Sequence, residues 1–423
     1  MDRAVDWIKR GNFCRVALQF PAGQISLAPE IIETLHASIP INCELFVLGD
    51  TSYGDCCVDE VGAEHYGADC VIHFGYSCQS RPLRLPTLCV FDRVEISRSE
   101  LTSWVAECAK RGSPVLVLAD PGCRNLEISA VAELAVSVPV YLAPCAIELR
   151  PETRSRGFAT AAAVQWCGVS RAVSATARAL FSSGRTLFNR QLVKFAENCL
   201  TPTDAIPEDT VVFFIGERKS PLLSRAILSF PDKHVFCGGE WMSSGREVMR
   251  RFAGVEAVKN ADRIGLLYAA SALQGVTKLR DVLSKALRSM GKKVCGFCVG
   301  KLTDAKIGNF TEIECFVVLG CPDFLNNELL TAENLRNYHC PLVSAFEAAV
   351  AANLMPWNGT VQYDFDSLSL PDNLDVPNLD DELIELSSRC YAGLEVSLKT
   401  IPAEIEPGLS GIPSRYVSEP VKK

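Results

Sequence analysis

The chain lacks the sequence features of several large protein classes. Its 423 residues carry a net charge of −8 and show no basic stripe interleaved with aromatic side chains, which argues against a nucleic-acid partner. No apolar run approaches the roughly 18 residues of a membrane-spanning helix. The first ten residues predict a charged amphipathic helix instead of a signal peptide. We therefore expect a soluble, cytoplasmic protein that binds neither nucleic acid nor membrane.

Common catalytic motifs are also missing from the sequence. It contains no P-loop, no GxGxxG after a predicted strand, no HExxH and no GxSxG. Lys301 follows a predicted strand, but it lacks the glycine-rich approach of a P-loop and is more typical of a surface lysine than of an anion site. No standard phosphate, dinucleotide, zinc-protease or serine-hydrolase site is therefore indicated.

Cysteine, in contrast, is abundant, with 19 in the chain. Cytosolic thiols stay reduced, so a disulfide scaffold is not expected. Most free cysteines behave as small buried hydrophobes. Six lie inside or beside apolar runs and fit that interpretation: Cys14, Cys43, Cys70, Cys89, Cys237 and Cys315.

Short β-branched runs alternate with amphipathic stretches, and this pattern predicts an α/β fold with mostly parallel sheets. We predict a first α/β domain at 1–112, a second at 113–232, a third at 233–360 and an acidic tail at 361–423. The third unit is expected to begin with the strand near residues 234–238. A helical insertion is expected near 152–205, a stretch rich in Ala, Ser and Arg.

Three cysteines each follow a predicted buried strand. Cys56 follows the run at 45–50, Cys78 the run at 70–75 and Cys321 the run at 315–320. Ligands of open α/β sheets gather at the carboxyl ends of the strands. We therefore predict that these thiols hold a metal centre, with an iron–sulfur cluster as the favoured kind.

The loop that carries Cys56 has a second candidate beside it. We expect a helix to begin near Cys57 with Asp55 as its cap. A helix N-terminus lowers the pKa of a thiol, so either cysteine could be a thiolate ligand. The alternative is a buried Cys56–Cys57 pair in a tight turn.

Other candidates are less well supported by their positions. Cys295 and Cys298 form a CxxC, but they lie in a predicted strand, where residues three apart point to opposite faces. Histidines near the first two cysteines fit core or supporting positions better than ligand positions: His65 and His73. Three cysteines lie near loops of the middle unit without a distinguishing spacing: Cys123, Cys145 and Cys167.

Several longer motifs resemble the radical enzymes of diphthamide biosynthesis. Tyr53–His65 and Gly67–Cys78 resemble the family's first-domain cysteine motif, and Arg15–Pro21 its opening strand. The later motifs are more similar to the second, eukaryotic subunit of the family than to the first. They are Gly300–Phe310, Glu314–Pro322, Pro341–Glu347, Tyr391–Glu395 and Gly408–Tyr416.

The resemblance implies three flavodoxin-like domains around a central [4Fe-4S] cluster. In the family's second subunit the ligands match Cys56, Cys78 and Cys321. The catalytic subunit uses S-adenosylmethionine to add a 3-amino-3-carboxypropyl group to a histidine of translation elongation factor 2. The resemblance implies that this chain forms a heterodimer with that subunit and helps to keep the subunit's cluster reduced. An electron-donor protein would supply the electrons.

The sequence leaves alternatives open. The catalytic subunit takes one ligand from a Gly-Cys-Thr type motif in its middle domain, whereas the nearest segment here is Trp166–Gly168. This departure favours an accessory subunit over a self-sufficient homodimer. A quinolinate-synthase-like dehydratase and a metal-free scaffold are the other readings of the same cysteines.

Overall fold

The computed structural model describes residues 1–49, 55–80, 82–151, 186–196, 199–268, 276–300, 302–325 and 338–363, together with 410–412 and 415–418. The chain divides into two compact units, Met1–Asp375 and Val376–Lys423. The first unit contains the predicted α/β pattern. In the second, the described residues form one antiparallel hairpin.

Strands and helices alternate through the first unit. The strands are β1 (Arg15–Gln19), β2 (Glu44–Leu48), β3 (Cys70–Phe74), β4 (Thr87–Val90), β5 (Val115–Ala119), β6 (Val140–Leu142), β7 (Glu148–Leu149), β8 (Thr186–Leu187), β9 (Arg190–Gln191), β10 (Val193–Ala196), β11 (Cys199–Pro202), β12 (Val211–Ile215), β13 (Val235–Cys237), β14 (Glu240–Met242), β15 (Arg263–Tyr268), β16 (Lys293–Cys298), β17 (Cys315–Leu319) and β18 (Leu342–Ser344). The hairpin of the second unit consists of β19 (Ser410–Ile412) and β20 (Arg415–Ser418).

The described helices are, in chain order, α1 (Asp2–Gly11), α2 (Ala28–His36), α3 (Glu60–His65), α4 (Arg98–Ala109), α5 (Arg124–Leu134), α6 (Pro221–Ser229), α7 (Gly245–Asn260), α8 (Val276–Ser289), α9 (Asp304–Gly308), α10 (Pro322–Phe324) and α11 (Ala345–Ala351). None of the helices in the described parts of the chain is long and apolar enough to cross a membrane.

Three sheets repeat one arrangement of four parallel strands. The sheets run β2-β1-β3-β4-β7, β11-β10-β6-β5-β12-β13-β14 and β16-β15-β17-β18. In each, the first parallel strand along the chain lies between the second and the third, and the fourth follows the third. The central strands are buried on both faces, as the run at Val115–Ala119 illustrates. The predicted α/β fold with mostly parallel sheets is confirmed.

One strand lies in a different sheet from the one we expected. The strand near 234–238 was predicted to open the third unit, but β13 pairs in parallel with β12 and β14 returns antiparallel beside it. Helix α6 supplies the crossover between β12 and β13, so the middle sheet acquires its fourth parallel strand before the third sheet begins. The short strand β7 likewise returns to the first sheet, beside β4.

The segment at 152–205 was expected to be a helical insertion. Residues 152–185, including Cys167, lie outside the described residues. Within 186–196 and 199–202 the chain forms strands β8 to β11: β8 and β9 pair with each other, and β10 lies between β6 and the edge strand β11, antiparallel to both. Val193 is buried there, whereas Lys194 and Phe195 are half-buried.

The predicted tail is described only at its start and in the hairpin. Val361 is buried against the core of the third sheet, and its N–H donates to the carbonyl of Leu228 over 2.9 Å. The acidic residues from Asp364 to Glu385 lie outside the described residues.

Candidate metal centre

Four cysteine side chains from three loops converge in the first unit. They are Cys56, Cys57, Cys78 and Cys321, and their Sγ atoms all lie within 4.8 Å of one another. Adjacent Sγ atoms are 3.7 Å apart for Cys56 and Cys57, and 3.8 Å for Cys56 with Cys321 and for Cys57 with Cys78. These separations are far longer than the roughly 2.05 Å of a disulfide bond. The structure thus brings the three predicted cysteines together and adds Cys57.

The loop carrying Cys56 and Cys57 is held by strand β1. Gln19 is buried at the end of β1, where its Nε2 donates to the carbonyl of Cys57 over 2.7 Å. The N–H of Asp59 donates to Oε1 of the same side chain over 2.9 Å. One amide therefore satisfies two buried backbone groups on either side of the turn and fixes the path of the cysteine pair.

Helix α3 begins later than predicted, which changes the chemistry of this loop. Asp59, not Asp55, is the cap, and it accepts from the N–H of Gly62 over 2.8 Å. Cys56 and Cys57 therefore precede the helix and are not at its N-terminus. The expectation that the helix lowers their pKa is wrong: the pKa of both thiols is raised, chiefly by the hydrogen bond with Cys321 and also by burial.

The loop carrying Cys78 follows β3. Gly75 turns the chain with φ +85°, where a Cβ would lie 2.6 Å from the ring of Pro21. The N–H of Cys78 then donates to the carbonyl of Cys56 over 3.1 Å, which joins the first two cysteine loops directly. Further along, the buried carboxylate of Glu60 accepts three backbone N–H groups, each over 2.8 Å, from Leu83, Arg84 and Leu85.

Cys321 reaches the group from the third sheet. It follows β17 and precedes the short helix α10, and its side chain is 2% exposed. Asp323, two residues later, accepts a hydrogen bond from the hydroxyl of Tyr76 over 2.8 Å. Because Tyr76 lies two residues before Cys78, this bond ties the loops of the first and third sheets together.

The middle part of the chain also contacts the site. The side chain of Asn189, at the turn of the separate two-stranded sheet β8-β9, donates to the carbonyl of Cys78 over 3.1 Å. Arg225, from helix α6, forms an ion pair with Asp323 over 2.6 Å. The middle part therefore contributes polar contacts, whereas all four thiols come from loops of the first and third sheets.

The pKa values of the thiols are shifted in different directions. Hydrogen bonds with Cys321, Cys56 and Cys57 lower the pKa of Cys78, against the effect of burial. Hydrogen bonds with Cys56 and Cys57 lower the pKa of Cys321, but the hydrogen bond with Cys78 and burial outweigh them, so that its pKa is raised. Full deprotonation of four buried thiols requires a cation among them.

The other cysteines considered from the sequence lie outside the four-thiol group where the structure describes them. Cys295 and Cys298 are in β16, as predicted, and are exposed on the edge strand of the third sheet. Cys123 and Cys145 are buried, with their pKa values raised by burial to about 12 and about 11 respectively, and neither belongs to the four-thiol group. Lys301 lies outside the described residues.

The two histidines differ from each other. His65 ends α3 at the surface, where its ring meets that of Tyr66. His73 is fully buried in β3, and burial lowers its pKa, so the neutral ring is favoured. Neither belongs to the four-thiol group.

The group fits an iron–sulfur cluster by the chemistry of its donors. All four cysteines are free and buried, and thiolates are the ligands that such clusters take. Sequence reasoning offered Cys57 as an alternative to Cys56 and not as a fourth member of the group. It missed Gln19, Tyr76, Asp323 and Arg225, whose roles depend on contacts between residues far apart in sequence.

The chain is similar to a known protein family and to several of its named members. A family described as "Putative diphthamide synthesis protein" matches residues 20–362. A Schizosaccharomyces pombe protein named 2-(3-amino-3-carboxypropyl)histidine synthase subunit 2 is 27% identical over 383 residues, covering 87% of this chain and 67% of the relative. The Gallus gallus protein of the same name is 29% identical over 377 residues, covering 87% and 71%.

A solved structure shares the fold. Dph2 from Pyrococcus horikoshii, determined with a 4Fe-4S cluster, is 18% identical and superposes with a TM-score of 0.57, covering 89% of this chain and 96% of its own. A second structure of the same protein gives a TM-score of 0.55 at 19% identity. At this identity the likeness concerns the fold alone.

Proposed function

The chain belongs to the diphthamide synthesis protein family, and on that premise we propose that it is a subunit of the complex that makes 2-(3-amino-3-carboxypropyl)histidine. The complex transfers a 3-amino-3-carboxypropyl group from S-adenosylmethionine to a histidine of translation elongation factor 2. The relatives named as subunit 2 of this synthase support the assignment.

We propose that Cys56, Cys78 and Cys321 hold a [4Fe-4S] cluster and that Cys57 is positioned to be a fourth ligand. When bound, the cluster supplies one-electron redox chemistry. The burial of all four thiols and their mutual approach within 4.8 Å support the proposal. The chain's own residues hold the group, exclude water and link it to the first and third sheets.

Cys57, the fourth thiol of the group, supports the proposal that this chain has an accessory role. Three cysteine ligands leave one iron of a four-iron cluster open to substrate, whereas four leave none. Cys57 lies 3.8 Å from Cys78 and 3.7 Å from Cys56, so it belongs to the same group as the three proposed ligands. A closed cluster suits electron supply to the partner's cluster better than direct cleavage of S-adenosylmethionine.

One observation favours zinc over an iron–sulfur cluster. Sγ separations of 3.7–3.8 Å match the about 3.8 Å expected between thiolates around a tetrahedral ion with metal–sulfur bonds of about 2.3 Å. A structural Zn²⁺ site is therefore the rival candidate. Metal analysis separates the two, because zinc brings no acid-labile sulfide and no visible absorption.

We further propose three flavodoxin-like domains, each built on one of the sheets, and assembly with a catalytic subunit of the same family in the cytoplasm. The strand order shared by the three sheets supports the domain proposal. We propose the boundary between the second and third domains after Met242 instead of at 232, because β13 and β14 pair within the middle sheet. An electron-donor protein completes the set of proposed partners.

A reconstitution assay tests the function. Elongation factor 2 is incubated anaerobically with S-adenosylmethionine, a reductant and either this chain, its proposed catalytic partner or both. We expect modification with both chains present and none with this chain alone. Modification by this chain alone would instead establish a self-sufficient enzyme, and cleavage of S-adenosylmethionine without a partner would point the same way.

A further inference from the structure

A buried chain of polar groups leads from the cysteine loops to the middle sheet. Tyr76 donates to one oxygen of Asp323 over 2.8 Å, and Arg225 donates to the other oxygen over 2.6 Å. Tyr76 and Asp323 each lie two residues from a cysteine of the site, Cys78 and Cys321. Arg225, a charged residue of helix α6, is therefore held beside the cysteine loops.

The surroundings of Arg225 hold its guanidinium in one place. The group lies 4.9 Å from the ring centre of Phe188 and 5.2 Å from that of Tyr363. Side-chain exposure is 4% for Arg225 and 2% for Asp323. Burying such a pair is often no more stabilising than burying apolar residues of the same size, so stability alone does not account for it.

The positive charge also acts on the cysteines. Burial would lower the pKa of Arg225, but the charges of Asp323 and Cys321 outweigh it and raise the pKa. Arg225 thus remains a cation and interacts electrostatically with the Cys321 thiol. A buried, permanently charged group is screened little by salt.

We propose that Arg225 is a positioning residue that favours the reduced state of the cluster, by holding a fixed positive charge beside Cys321 and joining the cysteine loops to helix α6. The proposal rests on the cluster assignment under Proposed function. Reduction adds one electron, taken from an external donor, and so adds one negative charge at the site. A nearby cation stabilises that charge, whereas the carboxylate of Asp323 opposes it.

Variants that remove the positive and the negative charge should change the ratio of reduced to oxidised cluster in opposite directions, which damage to the fold would not do. Arg225→Gln should decrease the ratio of reduced to oxidised cluster at a fixed potential by about tenfold, which is about 59 mV for a one-electron couple. Asp323→Asn should increase that ratio. Arg225→Lys keeps the charge and should restore the wild-type ratio. A general loosening of the site would move all three variants in one direction.

A matched control is available between helices α7 and α11, which pack on the third sheet. Arg251 forms an equally buried ion pair with Glu347 over 3.0 Å, and no cysteine of the site contributes to its raised pKa. Arg251→Gln should therefore cost stability without changing the ratio. The full-length variants are reconstituted anaerobically and titrated with dithionite against redox mediators, with electron paramagnetic resonance of the reduced cluster as the readout.

The outcomes separate this inference from the assignment on which it rests. A wild-type chain that takes up no cluster overturns both. A wild-type cluster whose potential is unchanged in Arg225→Gln and Asp323→Asn, or shifted in the same direction by both, overturns only the role of Arg225. If Arg225→Gln does not fold, the rise expected in Asp323→Asn and the wild-type ratio expected in Arg225→Lys decide the question.

Discussion

Replacing Gln19 with leucine isolates the contribution of strand β1 to the cysteine site. The side chain is 1% exposed and satisfies two buried backbone groups, the carbonyl of Cys57 and the N–H of Asp59. Leucine has a similar volume but offers neither hydrogen bond. Leaving a buried polar group unpaired costs about 1–3 kcal/mol, so the two together should destabilise the closed loop by about 2–6 kcal/mol.

The expected effect is a more frequent local opening of the loop. Buried thiols react only when their surroundings open. A cost of at least about 2 kcal/mol corresponds to about thirtyfold faster modification of Cys56 and Cys57 in the metal-free chain. The assay is pulsed labelling with a maleimide under anaerobic conditions, with the labelled peptides quantified by mass spectrometry.

Two controls make the result specific. Gln24 donates to Asp92 at the surface over 2.7 Å, so Gln24→Leu should leave the labelling rate nearly unchanged. Cys315, buried in β17 of the third sheet, reports on global unfolding in the same sample. Equal labelling of Cys56 and Cys57 in wild type and Gln19→Leu would refute the role assigned to Gln19, whereas equal acceleration at Cys315 would show that the fold and not the loop had opened.

Three further predictions concern the ligands, the Cys78 loop and the middle sheet. Cys321→Ala should remove most of the visible charge-transfer absorption of the reconstituted chain. Cys315→Ala, which empties a comparable volume in the preceding strand, should retain that absorption. Retained absorption in Cys321→Ala would exclude Cys321 as a ligand. Glu60→Gln should lower the free energy of unfolding by about 1–3 kcal/mol in denaturant titrations, because an amide has one oxygen to offer to three backbone N–H groups; an unchanged midpoint would contradict this. Asp120 has its pKa raised by burial to about 6, against hydrogen bonds from Ser220 and from the backbone that lower it. Since the folded state then holds the proton more tightly than the unfolded state, this stabilisation is complete below about pH 4 and is lost as the pH rises through about 6. Relative to Asp120→Asn, wild type should lose on the order of 2–3 kcal/mol across that window, and parallel stability curves for the two proteins would contradict the assignment.

The meeting of Cys56 with Cys78 was predictable from sequence because both follow strands of the first sheet, whereas the approach of Cys321 from the third sheet depends on how the sheets pack. Cys78 follows the buried strand β3, and Cys56 follows β2, an edge strand that is mostly half-buried. The carboxyl ends of parallel strands share one edge of a sheet, so residues just beyond them converge. The strand boundaries could be placed to within one or two residues because the apolar runs end sharply.

The environment of the thiols could not be predicted in the same way. Adjacent residues such as Cys56 and Cys57 usually point apart, and only the turn fixed by Gln19 brings both to one group. Arg225 approaches the site from a helix almost 100 residues before Asp323 in sequence, and no local pattern records that contact. The choice of Asp59 over Asp55 as the helix cap likewise depends on where α3 docks, not on residue type.

The assignment of β13 shows a similar limit. Its sequence is that of any buried strand, and the following β14 could have begun a new unit. What decides its place is the parallel pairing with β12, which a crossover through α6 makes possible. Sheet membership is a long-range property, whereas strand identity is a local one.

The identity of the bound group tests the central claim most directly. The full-length chain is purified anaerobically, and its iron, acid-labile sulfide and zinc are measured together with electron paramagnetic resonance after dithionite reduction. The account predicts about four iron and about four sulfide per chain, with a paramagnetic signal in the reduced state. One zinc per chain with neither sulfide nor signal, or a colourless chain without metal, would contradict it.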